Sequence, residues 1–255
     1  MKHLKRTTVL ILALIMTITL LPAAAQAASK KTVYVVSSVK VVENGKTTAI
    51  KLSYNENGLL TKIASTYADE KTTETFSYNK KDQLTKYVKK ILSGKHKGDN
   101  ETFTYTYNKK GQRKSKDSKD YKVTYKYNSG NQIITAVSEH GDTNFKYKNG
   151  HVKKASGTGP ITYSATFDDH DNIKEWSNKF NTEKIGYGSY AYTYYKNGRA
   201  KTLKKTFKPN PMGSEKTQTL TFTYTKMTVP ANLTDTIADQ QWQFINGNGV
   251  VGFAW

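Results

Sequence analysis

The chain has 255 residues, 40 of them Lys or Arg against 20 Asp or Glu, giving a net charge of +20 with no cysteine. That composition excludes a disulfide framework, thiolate catalysis and any Cys-based metal site. Arginine occurs only at positions 6, 113 and 199, so the charge is carried by lysine; this disfavours base-specific nucleic-acid reading, which leans on the bidentate guanidinium fork, and leaves nonspecific attraction to polyanions.

Residues 1–27 have the pattern of an export signal: MKHLKR is basic, Thr7 to Leu21 is apolar, and Ala25-Gln26-Ala27 offers a small-residue cleavage site. The apolar run of about 15 residues falls short of the roughly 20 that span a bilayer as a helix, so no transmembrane segment is expected after cleavage. The remainder keeps 37 basic residues against 20 acidic ones, a net charge of +17. The expected address is secreted, extracellular or wall-associated.

From 28 to 229 the chain repeats one phrase. An aromatic anchor precedes a turn at Tyr54, Tyr78, Tyr107, Tyr127, Tyr147, Phe167 and Tyr194, a period typical of stacked supersecondary units. Before each anchor apolar and polar residues alternate, as in Phe103, Tyr105 and Tyr107 against Thr102, Thr104 and Thr106; period two with aromatic and β-branched residues means strands. After each anchor come Asn or Lys, a Gly, Asn or Asp tip, and an aliphatic residue such as Leu60, Leu84 or Ile133. Asn-Gly pairs at 44–45, 57–58, 149–150 and 197–198 supply the positive φ of tight hairpins.

The prediction is an all-β fold, an antiparallel meander of about 14 to 18 strands, far above the usual four to six. Such a sheet must curl into a barrel-like or two-layer form, with the aromatic stripe inside and the Thr/Lys stripe outside. Residues 230–255 break the pattern: Leu233, Ile237, Gln241, Trp242 and Ile245 recur at helical spacing, with Asn232 or Asp235 as a cap and Gly247 as a stop. This short C-terminal helix and the apolar tail after it are expected to plug the sheet or cover its edge.

The phrases LSYNENGLL (52–60), YTYNKKGQR (105–113), YKYNSGNQI (125–133) and ATFDDHDNI (165–173) resemble the YD repeat of the RHS family, whose units read Tyr-Asp, two variable residues, Gly, a variable residue and Leu. The likeness runs from about 45 to 205. Asn mostly stands in place of Asp, and Asp82 and Asp171 in place of the turn Gly. The resemblance implies a secreted bacterial β-repeat protein, of a family whose members form extracellular β-shells serving in carbohydrate or partner binding, and nothing about catalysis.

Three groups of side chains are candidate sites. Lysine pairs at 80–81, 109–110, 153–154 and 204–205 would place Lys80, Lys81, Lys109, Lys110, Lys153, Lys154, Lys204 and Lys205 on an outer face suited to anionic wall polymer or polysaccharide. Trp176, Tyr192, Tyr194 and Tyr195, with Tyr190, form the richest aromatic zone, able to fill a core or to line a partly wet interior. Asp168, Asp169 and Asp171 around His170 are the densest set of oxygen ligands for a hard cation, although Asp and Asn are also favoured at turns for their local hydrogen bonds. Glu43, Glu56, Glu139, Glu175 and Glu183 are the carboxylates weighed for a glycosidase pair.

No HExxH, nucleophile elbow or phosphate-cradling loop occurs, so the expectation is a non-enzymatic protein without a cofactor. One rival expectation is a secreted carbohydrate-binding or carbohydrate-hydrolysing protein; another is an outer-membrane barrel, suggested by the alternation and by Trp255. Lys62, Lys86, Lys126, Lys146, Lys148 and Lys174 interrupt the apolar band such a barrel needs.

Overall fold

The alternation is realised as sixteen strands. β1 (Lys30–Glu43), β2 (Lys46–Tyr54), β3 (Leu60–Tyr67), β4 (Glu70–Tyr78), β5 (Leu84–Ile91), β6 (Asn100–Tyr107), β7 (Arg113–Asp117) and β8 (Lys122–Tyr127) form the first half. β9 (Ile133–Ser138), β10 (Thr143–Lys148), β11 (His151–Gly157), β12 (Ile161–Phe167), β13 (Ile173–Phe180), β14 (Glu183–Tyr194), β15 (Ala200–Lys208) and β16 (Lys216–Pro230) form the second. The computed structural model describes residues 29–67, 70–139, 141–148, 151–158, 161–170, 172–208 and 213–247. The expected export signal and the apolar tail at 250–255 lie outside the described residues.

Each strand is antiparallel to the next, and β16 returns to pair with β1, closing a barrel. Of the two forms predicted, the closed one is adopted because the first and last strands carry matching inward stripes, Val39 opposite Phe222 and Val41 opposite Leu220. Closure leaves no unpaired strand edge.

The repeated phrase builds one rim. There the anchor pairs with the residue opening the next strand: Tyr54 with Leu60, Tyr78 with Leu84, Tyr127 with Ile133 and Phe167 with Ile173. The Asn after the tyrosine explains itself locally. Asn79 Oδ1 accepts from the amides of Lys81 and Gln83 at 2.9 and 3.1 Å, and Asn108 Oδ1 from those of Lys110 and Gln112 at 2.9 and 3.0 Å, the side chain closing the turn that the backbone alone leaves open. The tip residue then needs positive φ: +82° at Gly58, +58° at Asp82, +79° at Gly111 and +62° at Asn131. Only the last turn residue is left-handed in these turns, each of which ends in a bulge, unlike the tight hairpins predicted. The β1–β2 turn does have the predicted two-residue form, with Asn44 and Gly45 both at positive φ.

The tyrosine hydroxyls stitch one phrase to its predecessor. Tyr54 donates to the Val36 carbonyl, Tyr78 to Leu60, Tyr107 to Leu84, Tyr127 to Arg113, Tyr147 to Ile133 and Tyr224 to Ala200, at 2.6 to 2.9 Å. A phenylalanine at these positions would leave rim carbonyls without partners. Burial raises the Tyr147 and Tyr224 hydroxyls to about 12.

Across this rim lies the C-terminal helix α1 (Thr234–Gly247), entered through a 3-10 turn at Ala231–Leu233. Asp235 sits in its first turn, favourable to the helix dipole. Three side-chain amides of α1 accept from strand amides of the rim: Gln241 from Val36 (2.7 Å), Gln240 from Leu60 (3.0 Å) and Asn246 from Ile173 (2.7 Å). The same amides donate to Tyr54 Oη, Tyr78 Oη and Asn172 Oδ1. Leu233, Ile237, Phe244 and Ile245 are buried beneath them. The helix expected from the spacing is therefore present and packs on this rim, while the tail expected to join it lies outside the described residues.

One rim glycine has no substitute. Gly58 has φ +82°, and a Cβ there would stand 2.5 Å from Val229 Cγ1 and 2.9 Å from Ile237 Cδ1. Gly58→Ala is expected to cost about 2 kcal/mol or more, from backbone strain and overlap with Val229 of β16 and Ile237 of the plug, read as a lowered denaturation midpoint. Gly45→Ala is the control, since nothing lies within 4 Å of a Cβ there and only the strain should appear.

Candidate functional site

A sixteen-stranded barrel encloses more space than its own side chains need fill. The buried apolar side chains of the strands come from β1–β3 and β8–β16, and none of those described from β4–β7. On that side the lumen is a cavity of about 1180 Å³. Its floor is α1, through Gln240, Gln243 and Phe244, and its mouth lies at the opposite rim, between Asn100 and the Ser118–Tyr121 turn.

Register arranges the wall of this cup in tiers. Phe76, Tyr87 and Phe103 stand level across β4, β5 and β6, their rings 5.4 and 6.0 Å apart in sequence. One step nearer the mouth, Glu74, Lys89 and Glu101 stand level on the same strands, giving alternating charge. Tyr87 Oη donates to Glu74 Oε2 at 3.0 Å. Lys116 Nζ lies 4.1 Å from the centre of the Phe103 ring and the Arg113 guanidinium 5.0 Å from that of Tyr105, distances at which a ring face attracts a cation.

The cup's ionisable groups are shifted by desolvation. Burial holds the Glu74 carboxyl above its ordinary range, with Tyr87 and Lys89 opposing. Burial, aided by Arg113, pulls the Lys116 ammonium down, and burial pushes Tyr105 up to about 12. Such groups in a concave site mark a place where a ligand's charges are felt strongly.

The cup was readable in part. Glu74 and Glu101 each precede an inward phenylalanine by two residues, in ETFSY and ETFTYTY, and Lys89 follows Tyr87 by two, so period two turns all three inward. Of the carboxylates weighed from sequence, Glu56, Glu139, Glu175 and Glu183 are exposed, and Glu43 is buried against Gln218.

The structure disperses the sequence-predicted residues. Lys80, Lys81, Lys109 and Lys110 are exposed on the tyrosine rim, and Lys154 and Lys204 on the outer wall; the side chain of Lys153 lies outside the described residues. Lys205 departs from the expected outer face. It is 1% exposed, its ammonium 5.4 Å from the Tyr190 ring centre, because neighbours in a strand point to opposite faces and only one member of a Lys-Lys pair can face out.

Trp176 is buried in the core against Gly188, and Tyr192 faces the plug through Asn246. Tyr194 stacks on His170 at 3.9 Å, and Tyr195 is exposed on the rim. Asp168 takes the place of the turn Asn, accepting from the amides of His170 and Asn172 at 2.9 Å each and from the Tyr194 hydroxyl. Asp169 is exposed and Asp171 lies outside the described residues. No group of three His, Asp or Glu that could hold a metal ion is present among the described residues.

Neither a protein-family model nor a curated protein matches the chain. Among solved structures it is similar to a porin-like protein from Bacteroides uniformis, at 15% identity and a TM-score of 0.47, covering 74% of this chain and 98% of that one. A porin-like protein from Bacteroides vulgatus is similar at 9% identity and a TM-score of 0.38, with the same coverage. The TcdB2-TccC3-Cdc42 structure is similar at 13% identity and a TM-score of 0.31 over 67% of this chain and 10% of that chain.

Proposed function

We propose that this is an exported, non-enzymatic barrel of the bacterial envelope or cell surface whose outer wall binds anionic wall polymer. The observation that carries the reading is what stands beside the outward lysines. Lys40 lies opposite Ala49 and Thr221, Lys51 opposite Ser38 and Ala64, Lys86 opposite Ser77 and Thr104, and Lys204 opposite Ala191 and Thr219. Lys146 lies opposite Lys154, a like-charge pairing that costs stability. These lysines have small or cationic cross-strand neighbours rather than carboxylates, so their field extends into solvent and favours a polyanion, with release of its counterions.

The same wall opposes the outer-membrane reading. A lipid-facing band is apolar and about 25 Å tall, and each lysine at its midplane costs about 2–4 kcal/mol. Lys51, Lys86, Lys126, Lys146, Lys154 and Lys204 are exposed along strands all around the barrel.

Co-sedimentation of the chain from residue 28 with sacculi of its source organism, across a salt series and with the anionic polymers stripped or retained, tests the proposal. Binding is expected to fall steeply with salt and to vanish on stripping. Changing Lys51, Lys86, Lys154 and Lys204 together to Glu is expected to weaken it about 100-fold or more, the salt slope falling by roughly one for each lysine that no longer meets a polymer charge. Binding indifferent to salt and to the four substitutions overturns the reading, and retention in detergent-extractable membranes favours the membrane barrel.

A further inference from the structure

The cup differs from the outer wall in charge. It presents Glu74, Glu101 and Asp120 against Lys89, Lys116 and Lys119, an even balance inside a chain of net charge +20. A polyanion has no reason to enter it. A purely apolar ligand would have to pass the charged tier to reach the aromatic one. The lining instead offers, from the mouth inward, acceptors flanking a donor, then a row of rings, then the amides of α1.

We propose that the cup binds a short zwitterionic peptide, of one to three residues, carrying an apolar or aromatic side chain. Adjacent strands stand about 4.8 Å apart, which sets the lateral offset between Glu101 and Lys89 and between Lys89 and Glu74. One extended residue spans about 3.3–3.6 Å, so the termini of a dipeptide, about 7 Å apart, straddle an opposite pair of this row with each charged end about 1 Å outside its partner. The ligand ammonium turns to Glu101 and its carboxylate to Lys89, with Lys116 at the ring behind, while Glu74 is already held by the Tyr87 hydroxyl. The side chain packs on Phe76, Tyr87 and Phe103. The 1180 Å³ volume lies just above the usual range of about 300–1,000 Å³ for small-ligand sites and leaves room for bound water.

The test is calorimetric titration of the chain from residue 28 with glycylphenylalanine, its N-acetyl form, its C-terminal amide, and chitotriose. Glycylphenylalanine is expected to bind, and capping either terminus to weaken it about tenfold, the effect of removing one charge-assisted hydrogen bond. Glu101→Gln, at an exposed mouth position that leaves folding intact, is expected to make the free and N-acetylated dipeptides bind alike while the amide stays weak. The four-lysine reversal of the outer wall is expected to leave dipeptide binding unchanged, which separates this site from the polymer surface. No heat with glycylphenylalanine at about 10 mM, equal binding of the free and capped peptides, or binding of chitotriose in their place overturns the proposal.

Discussion

Ending the chain at Pro230 is expected to abolish the cooperative thermal transition, or to lower it by tens of degrees. The helix and its entry turn bury Leu233, Ile237, Phe244 and Ile245, each worth about 1.5–3 kcal/mol, which together approach the 5–15 kcal/mol that stabilises an ordinary domain. Removing the helix also withdraws the acceptors for the amides of Val36, Leu60 and Ile173. A milder substitution isolates that second effect. Asn246 is 2% exposed, and Asn246→Leu keeps its bulk while orphaning the Ile173 amide. It is expected to cost about 2–3 kcal/mol, a fall of roughly 5–10 °C in Tm. A truncated barrel melting with the full chain would mean that the rim holds itself together.

The second large effect is pH-dependent and belongs to Lys205. Burial lowers its ammonium from the ordinary 10.5 to about 7. Between about pH 7 and 10 the unfolded chain therefore binds a proton that the folded one does not, and stability rises with pH through that window. Below pH 7 both states are charged and the full burial cost remains. Lys205→Met fills similar space without charge and is expected to add about 3–5 kcal/mol below pH 7 and to flatten the rise. Denaturant midpoints at pH 6, 8 and 9.5 measure it; a native protein equally stable at all three would refute the assignment. Above pH 10 the raised tyrosines act in the opposite sense, because the unfolded chain then loses protons that Tyr147 and Tyr224 retain.

The strand series, the turn chemistry and the helix were legible because each is written locally. Tyr-Asn, a left-handed tip and an aliphatic residue lie within seven positions, and period two separates Thr104 from Tyr105 without help from the rest of the chain. Closure was not legible in this way. Barrel and two-layer sheet use the same hairpins and differ only in whether β1 meets β16, a match between Val39 and Phe222 that no local motif declares. The cup was harder still. Alternation turns Glu74, Lys89 and Glu101 inward, but that three such residues share one tier follows from register between strands. Lys205 illustrates the converse error: adjacent lysines read as one surface feature although a strand sends them to opposite faces.

The seam between β1 and β16 has a consequence for the order of assembly. Every other pairing in the barrel joins consecutive strands, so hairpins can form as the polypeptide emerges, each a local event with little loop to close. The seam alone waits for the whole polypeptide, since its partners open and end the meander. Until the last strand arrives, β1 is an unpaired edge. A protein threaded through an export channel from its amino end would therefore present that edge first and longest, and the slow phase of its maturation should track completion of translocation rather than formation of any hairpin.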